Sequence, residues 1–159
     1  MKTCDLHIID EKAALLTATS DFIFDHPEPC YQEFQSAEYL MQALEKEGFR
    51  IEAGLADIKT AFSATYGSGR PIIGILGEYD ALSGLNQVAG CTVPCEDKEK
   101  TNGHGCGHNL LAAASMGAAI AVKDYLHTRR CSGTVVFLGC PAEEGGSAKA
   151  FMARDGVFD

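Results

Sequence analysis

Pro71-Ile72-Ile73-Gly74-Ile75-Leu76-Gly77-Glu78-Tyr79-Asp80 is the stretch that decides the fold. Its first seven residues are apolar without alternation, as expected for a strand covered on both faces inside an α/β sheet. Gly133-Thr134-Val135-Val136-Phe137-Leu138-Gly139 repeats the pattern. Each run ends in a polar cluster, Glu78-Tyr79-Asp80 after the first and Pro141-Ala142-Glu143-Glu144-Gly145-Gly146 after the second. Open α/β sheets bind ligands beyond the carboxyl ends of their strands, so these two ends are where chemistry is expected.

Between the two strands, residues 81–107 read as a long irregular segment, a length that is usually functional or disordered. A helix is predicted from Asn109 through Leu126, and its run of small residues (Ala112, Ala113, Ala114, Ser115, Gly117, Ala118, Ala119, Ala121) suits close approach to a sheet. The helix is expected to be buried, not membrane-spanning. Upstream, helical spacing predicts one helix over 10–25, ended by His26-Pro27-Glu28-Pro29, and a second over 32–47, stopped by Gly48. Strands are predicted over 49–52 and 60–66, the latter alternating Ala61, Ser63, Thr65 against Phe62, Ala64, Tyr66 before the turn Gly67-Ser68-Gly69. The expectation is an α/β fold with a mixed, mostly parallel sheet and helices on both faces.

The chain has 159 residues, 46% hydrophobic and 22% charged, close to the globular average and about one domain in length. Thirteen Lys and Arg against 22 Asp and Glu leave a net charge of −9. No basic run exceeds Arg129-Arg130, so nucleic acid and anionic membranes are poor partners. Asp5, Asp10 and Glu11 interrupt the apolar stretch an export signal would need, and no window approaches about 18 uncharged apolar residues. Seven cysteines, an odd number in a chain that needs no staples, favour reduced thiols and a cytoplasmic setting.

The densest set of metal-binding side chains is His104-Gly105-Cys106-Gly107-His108. Thiolate, imidazole and carboxylate suit a zinc-like or manganese-like ion, and the glycines flanking Cys106 would clear the way for a ligand. The alternative is a glycine-rich turn whose His and Cys merely pack or face water. In Glu143-Glu144, neighbouring side chains point differently, so one carboxylate can hold an ion while the other takes a proton from water. The alternative there is a solvated helix start. Asp80 is either a turn or N-cap residue or the carboxylate that orients a ligand imidazole from behind. Glu78 is a weaker candidate. Cys91 and Cys95 could join His104, Cys106 or His108 in a structural zinc knuckle. His7, His26 and His127 are isolated, and Gly67-Ser68-Gly69 lacks the third glycine of a dinucleotide fingerprint, since position 72 is Ile72.

At Gly77-Glu78-Tyr79-Asp80-Ala81-Leu82, Asn102-Gly103-His104-Gly105-Cys106-Gly107-His108-Asn109 and Gly139-Cys140-Pro141-Ala142-Glu143-Glu144-Gly145-Gly146, the chain resembles the metal-dependent amidohydrolase and exopeptidase family. That family includes aminoacylases, carboxypeptidases and indoleacetyl-amino-acid hydrolases, and the likeness is strongest to its aminobenzoyl-glutamate hydrolase and dipeptidase branch. It spans nearly the whole chain, from His26-Pro27-Glu28 to Asp159.

The resemblance implies that Cys106, as thiolate, and His108 and Glu144 ligate metal, and that Glu143 is the general base. It implies a divalent ion, Zn or Mn, with two ions in full-length members, and a substrate that is a dipeptide or an N-acyl amino acid such as an aminobenzoyl-glutamate-like compound. Wider branches carry a histidine ligand where this chain has Glu78, and many read Gly-His-Asp where it has His108-Asn109. Family members continue into a further strand, a lid and dimerisation domain, and a last histidine. The expectation is therefore that residues 1–159 are the N-terminal part of a catalytic domain, incomplete and without the lid and dimerisation domain. Such a part is expected to be weakly active or inactive alone, and to form homo- or hetero-oligomers only with that missing domain. The competing expectation is a non-catalytic fragment or subunit that keeps the fold.

Overall fold

The computed structural model describes residues 7–159. Residues 1–6, which open the stretch read above for an export signal, lie outside the described residues. The helix expected over 10–25 is two: α1 (His7–Glu11) and α2 (Ala13–Asp25), with Lys12 between them. α3 (Phe34–Lys46) follows as predicted and ends where Gly48 turns left-handed at φ +88°. β1 (Arg50–Ala53), a 3-10 turn at Leu55–Asp57, β2 (Phe62–Ser68) and β3 (Ile72–Gly77) come next. The long irregular segment contains a two-residue ladder, β4 (Leu82–Ser83) with β5 (Asn102–Gly103), and an isolated parallel bridge from Ala81 to Pro29. α4 (His108–Arg129), β6 (Gly133–Gly139) and α5 (Ala148–Arg154) complete the order. No described helix is long and apolar enough to cross a membrane.

The main sheet has the order β1-β2-β6-β3. The α/β class and the mixed sheet agree with expectation, but the parallel share is smaller: β1–β2 and β2–β6 are antiparallel, and only β3–β6 is parallel. β2 and β3 are consecutive yet not neighbours, because β6 returns through α4 and inserts between them. A parallel return needs a crossover, and α4 is that crossover.

Alternation along β6 assigns its two faces. Val135 and Phe137 join Ile23, Leu40, Leu44, Phe62, Met116 and Ile120 in the main core under α2, α3 and α4. Val136 and Leu138 point the other way, toward Ala61, Cys140 and Met152 of α5. Helices thus lie on both faces. β6 is buried as expected, but β3 is not: it lies at the sheet edge, with Ile72, Ile73 and Leu76 exposed. An unbroken apolar run reports that a strand can be covered twice, and among the described residues only the α4 side of β3 is. α4 likewise buries one side, through Ala112, Met116, Ala119 and Ile120, and leaves Leu110 and Leu111 exposed.

Gly77 and Gly139 are register partners at the ends of the parallel pair. A Cβ on Gly77 would collide with the Phe137 ring, and one on Gly139 with the Phe62 ring. The absence of side chains there lets these two rings stack at 5.7 Å and brings both strand ends, with the polar residues that follow them, into alignment.

Candidate metal centre

The parallel register places the exits of β3 and β6 side by side, and α4, running back against them, presents its first residue at the same end. Three sequence-distant clusters therefore meet. His108 opens α4 and is buried. Its Nδ1 lies 3.1 Å from Asp80 Oδ1 and 3.0 Å from the Asp80 carbonyl, so Nδ1 carries the proton and donates. Nε2 is left facing Glu78 at 3.3 Å, Glu143 at 3.8 Å and Glu144 at 3.9 Å. The Asp80 carboxylate thus accepts from the His108 imidazole.

Asp80 is 1% exposed. Burial pushes its carboxyl up, but hydrogen bonds from His108, the Glu144 N–H at 2.9 Å and the Cys30 thiol at 3.4 Å outweigh it, and the group is held at about 2. Asp80 beside His108 in turn raises the imidazole above its ordinary value. Cys106 is exposed, and the neighbouring Glu144 carboxylate, with those of Glu143 and Glu78, raises its thiol. A thiolate is thus disfavoured at this spot unless a cation joins it.

Sγ of Cys106, a ring nitrogen of His108 and a carboxylate oxygen of Glu144 all lie within 4.8 Å of one another, as do ligand atoms of Glu78, His108 and Glu143. Glu144 Oε1 is buried without a hydrogen-bond partner. A buried carboxylate oxygen with no donor, facing a ring nitrogen and a thiol, is what a divalent cation satisfies, so these residues fit one.

The structure brings Cys106, His108, Glu143, Glu144 and Asp80 together and leaves other candidates outside. His104 Nε2 donates to the Ile23 carbonyl at 3.0 Å, its side chain is half-buried, and it belongs to neither grouping. Cys91 and Cys95 also stay apart from both groupings, and the neighbouring Cys95 raises the Cys91 thiol. His26 stacks on Phe22 and His127 lies near the Tyr66 hydroxyl. Glu143-Glu144 sit in a turn, and α5 starts only at Ala148, so the helix-start alternative does not apply. The glycines beside Cys106 have other reasons than clearance: a Cβ on Gly105 would meet Leu85, and Gly107 is left-handed at φ +83°.

Glu78, read as weak, is at the centre, paired with Lys149 of α5. Its position two residues before Asp80 in an extended segment was the available signal, since i and i+2 share a side. Lys149 carried no signal: burial disfavours its ammonium, but Glu78 more than offsets that.

A model of the family "Peptidase family M20/M25/M40" matches residues 74–159, the span that holds all three clusters. The chain belongs to this family. It is 54% identical to one of the subunits of p-aminobenzoyl-glutamate hydrolase from Escherichia coli, over 90% of this chain and 30% of that protein. It is 31% identical to human Xaa-Arg dipeptidase over 99% of this chain and 36% of that one. Among M20 structures, a dinuclear metal-binding peptidase from Bacillus subtilis superposes with TM-score 0.76 at 26% identity, covering 92% of this chain and 40% of that one. The chain spans about a third of the length of the curated relatives it matches.

Proposed function

We propose that residues 1–159 form the N-terminal part of a catalytic domain that hydrolyses an amide bond in a dipeptide or N-acyl amino acid, an aminobenzoyl-glutamate-like compound being the leading candidate. The observation that carries this is the convergence of Cys106, His108 and Glu144 on one point, with Glu143 also within reach of His108. Cys106, His108 and Glu144 would hold the ion. When bound there, zinc or manganese supplies Lewis acidity toward the scissile carbonyl and lowers the pKa of water. Both metals suit this donor set. Two ions would need donors beyond these three.

Glu143 is the general base. It is the more exposed of the adjacent carboxylates, at 40% against 17% for Glu144, so it can meet substrate and solvent while Glu144 stays inward. Glu143 takes a proton from the attacking water and passes it to the leaving nitrogen. Asp80 keeps His108 in the tautomer whose Nε2 faces the carboxylates. Lys149 offsets part of the negative charge at Glu78.

Full turnover is assigned to a polypeptide extending past residue 159. The Escherichia coli relative is named as one of a hydrolase's subunits, which makes assembly with a second, different chain part of this reading. Free thiols at Cys30, Cys91, Cys95 and Cys140 suit a reducing, cytoplasmic setting. The test is hydrolysis of p-aminobenzoyl-glutamate by the polypeptide that carries this segment, with and without Glu143→Gln. Loss of turnover with metal retained is expected; undiminished turnover removes Glu143 from the mechanism.

A further inference from the structure

Residues 26–33, between α2 and α3, form a strap whose polar groups serve the site more than the helices they join. Glu33 holds the N-cap position of α3, where a carboxylate ordinarily accepts from its own helix, yet its side chain makes no such bond. Glu28 caps instead, accepting the N–H groups of Gln35 at 3.0 Å and Ser36 at 2.9 Å. Glu33 is fully buried. Its Oε1 accepts from the backbone N–H of Tyr31 at 2.9 Å and of Ala142 at 2.8 Å, and its Oε2 from the Thr60 hydroxyl at 3.0 Å.

Burying a carboxylate is costly even when neutral donors surround it, and burial pushes the Glu33 carboxyl up. What it grips explains the placement. Ala142 is itself buried, has φ +53°, a left-handed conformation that a Cβ disfavours, and directly precedes Glu143-Glu144. At the far end of the same turn the Tyr31 hydroxyl donates to the Gly146 carbonyl, and the Tyr31 ring and Ala142 Cβ occupy the space a side chain on Gly146 would need. The strap also holds the β3 exit, because the Ala81 N–H donates to the Glu28 carbonyl at 2.8 Å and the Cys30 thiol donates to Asp80. Both polar clusters are thereby tied to one short segment distant in sequence.

We propose that Glu33 is a positioning residue, which through the Ala142 N–H sets the peptide carrying Glu143 and Glu144 while Tyr31 fixes the turn at Gly146. The role rests on the metal reading above and deepens it. Glutamine can keep the same bonds, its carbonyl accepting both N–H groups and its amide donating to Thr60, whereas alanine leaves the Ala142 N–H without its acceptor.

The test is Co(II) titration of the chain, read by the thiolate-to-cobalt absorption band, beside thermal melting and circular dichroism. Glu33→Ala is expected to weaken Co(II) binding by about 10-fold or more, the scale found when groups that orient metal ligands are removed. Glu33→Gln is expected to restore binding to within about twofold of the unsubstituted chain. A Glu33→Ala chain that melts lower but binds Co(II) with an unchanged band and affinity overturns the proposal. Should Glu33→Ala not fold, Tyr31→Phe at the partly exposed end of the strap decides: weakening by about threefold or more supports the role, and no change refutes it. Absence of the band in the unsubstituted chain refutes the metal reading itself, and this proposal with it. Those two failures are distinguishable in one titration series.

Discussion

Replacing Asp80 by asparagine should separate what its ionised carboxylate contributes from what its shape contributes. Asparagine imitates the protonated acid, and its amide nitrogen cannot accept from His108, the Glu144 N–H or Cys30. The structure holds the Asp80 carboxyl at about 2 against an ordinary 3.8. At about 1.36 kcal/mol for each pKa unit, that difference is worth about 2 kcal/mol of folding free energy. Because the folded-state value is depressed, the contribution is complete above the ordinary carboxylate range and disappears as pH falls toward 2. The assay is urea unfolding of both chains in chelator, at pH 7 and again near pH 3. Asp80→Asn should lower stability by about 2 kcal/mol at pH 7, and the gap should narrow at the lower pH. Equal midpoints at pH 7, or a gap independent of pH, would refute the account of Asp80 as an ionised anchor for His108 and Glu144.

Other substitutions probe the site and its scaffold. Cys106→Ser and Glu144→Gln should each weaken Zn(II) binding at least about tenfold by calorimetry, while Cys91→Ser and Cys95→Ser leave the stoichiometry intact. Gly139→Ala should cost about 1–3 kcal/mol in urea unfolding, because its new Cβ must displace the Phe62 ring from its stack on Phe137. Burial pushes the Glu47 carboxyl up, but Lys12 at 2.5 Å and Lys123 at 3.0 Å bring it below its ordinary value of 4.5. Its stabilising contribution is therefore present above that value and lost as pH falls below it, so Glu47→Gln should flatten the acid side of the stability profile measured by thermal melting.

Much of the site was legible because its ligand types are rare and clustered. Cys106, His108, Glu143 and Glu144 fall in two short motifs, and Asp80 follows an apolar run that marks a strand end. Glu78 was undervalued: its side shared with Asp80 was readable, but its closeness to His108 and Lys149 depends on where α4 and α5 dock. Glu33 had no local signal. Its position suits an ordinary helix cap, and only the packing of the strap against the β6 exit turns its carboxylate toward Ala142. His104 erred the other way, with the right chemistry and neighbours but a ring turned back to Ile23.

The amino-acid order alone determined α3, α4 and the strands of the main sheet, because side-chain periodicity reports the faces a segment can bury, whereas the break at Lys12 and the short helix α5 were not read from it. It also determined the donor set, because only a few side-chain types bind a divalent cation. Tertiary structure decided the strand order, the exposure of β3 and the meeting of residues at three element ends. Those depend on β6 returning through α4 to lie between β2 and β3, a choice made by the packing of all the faces at once and written in no single stretch of chain.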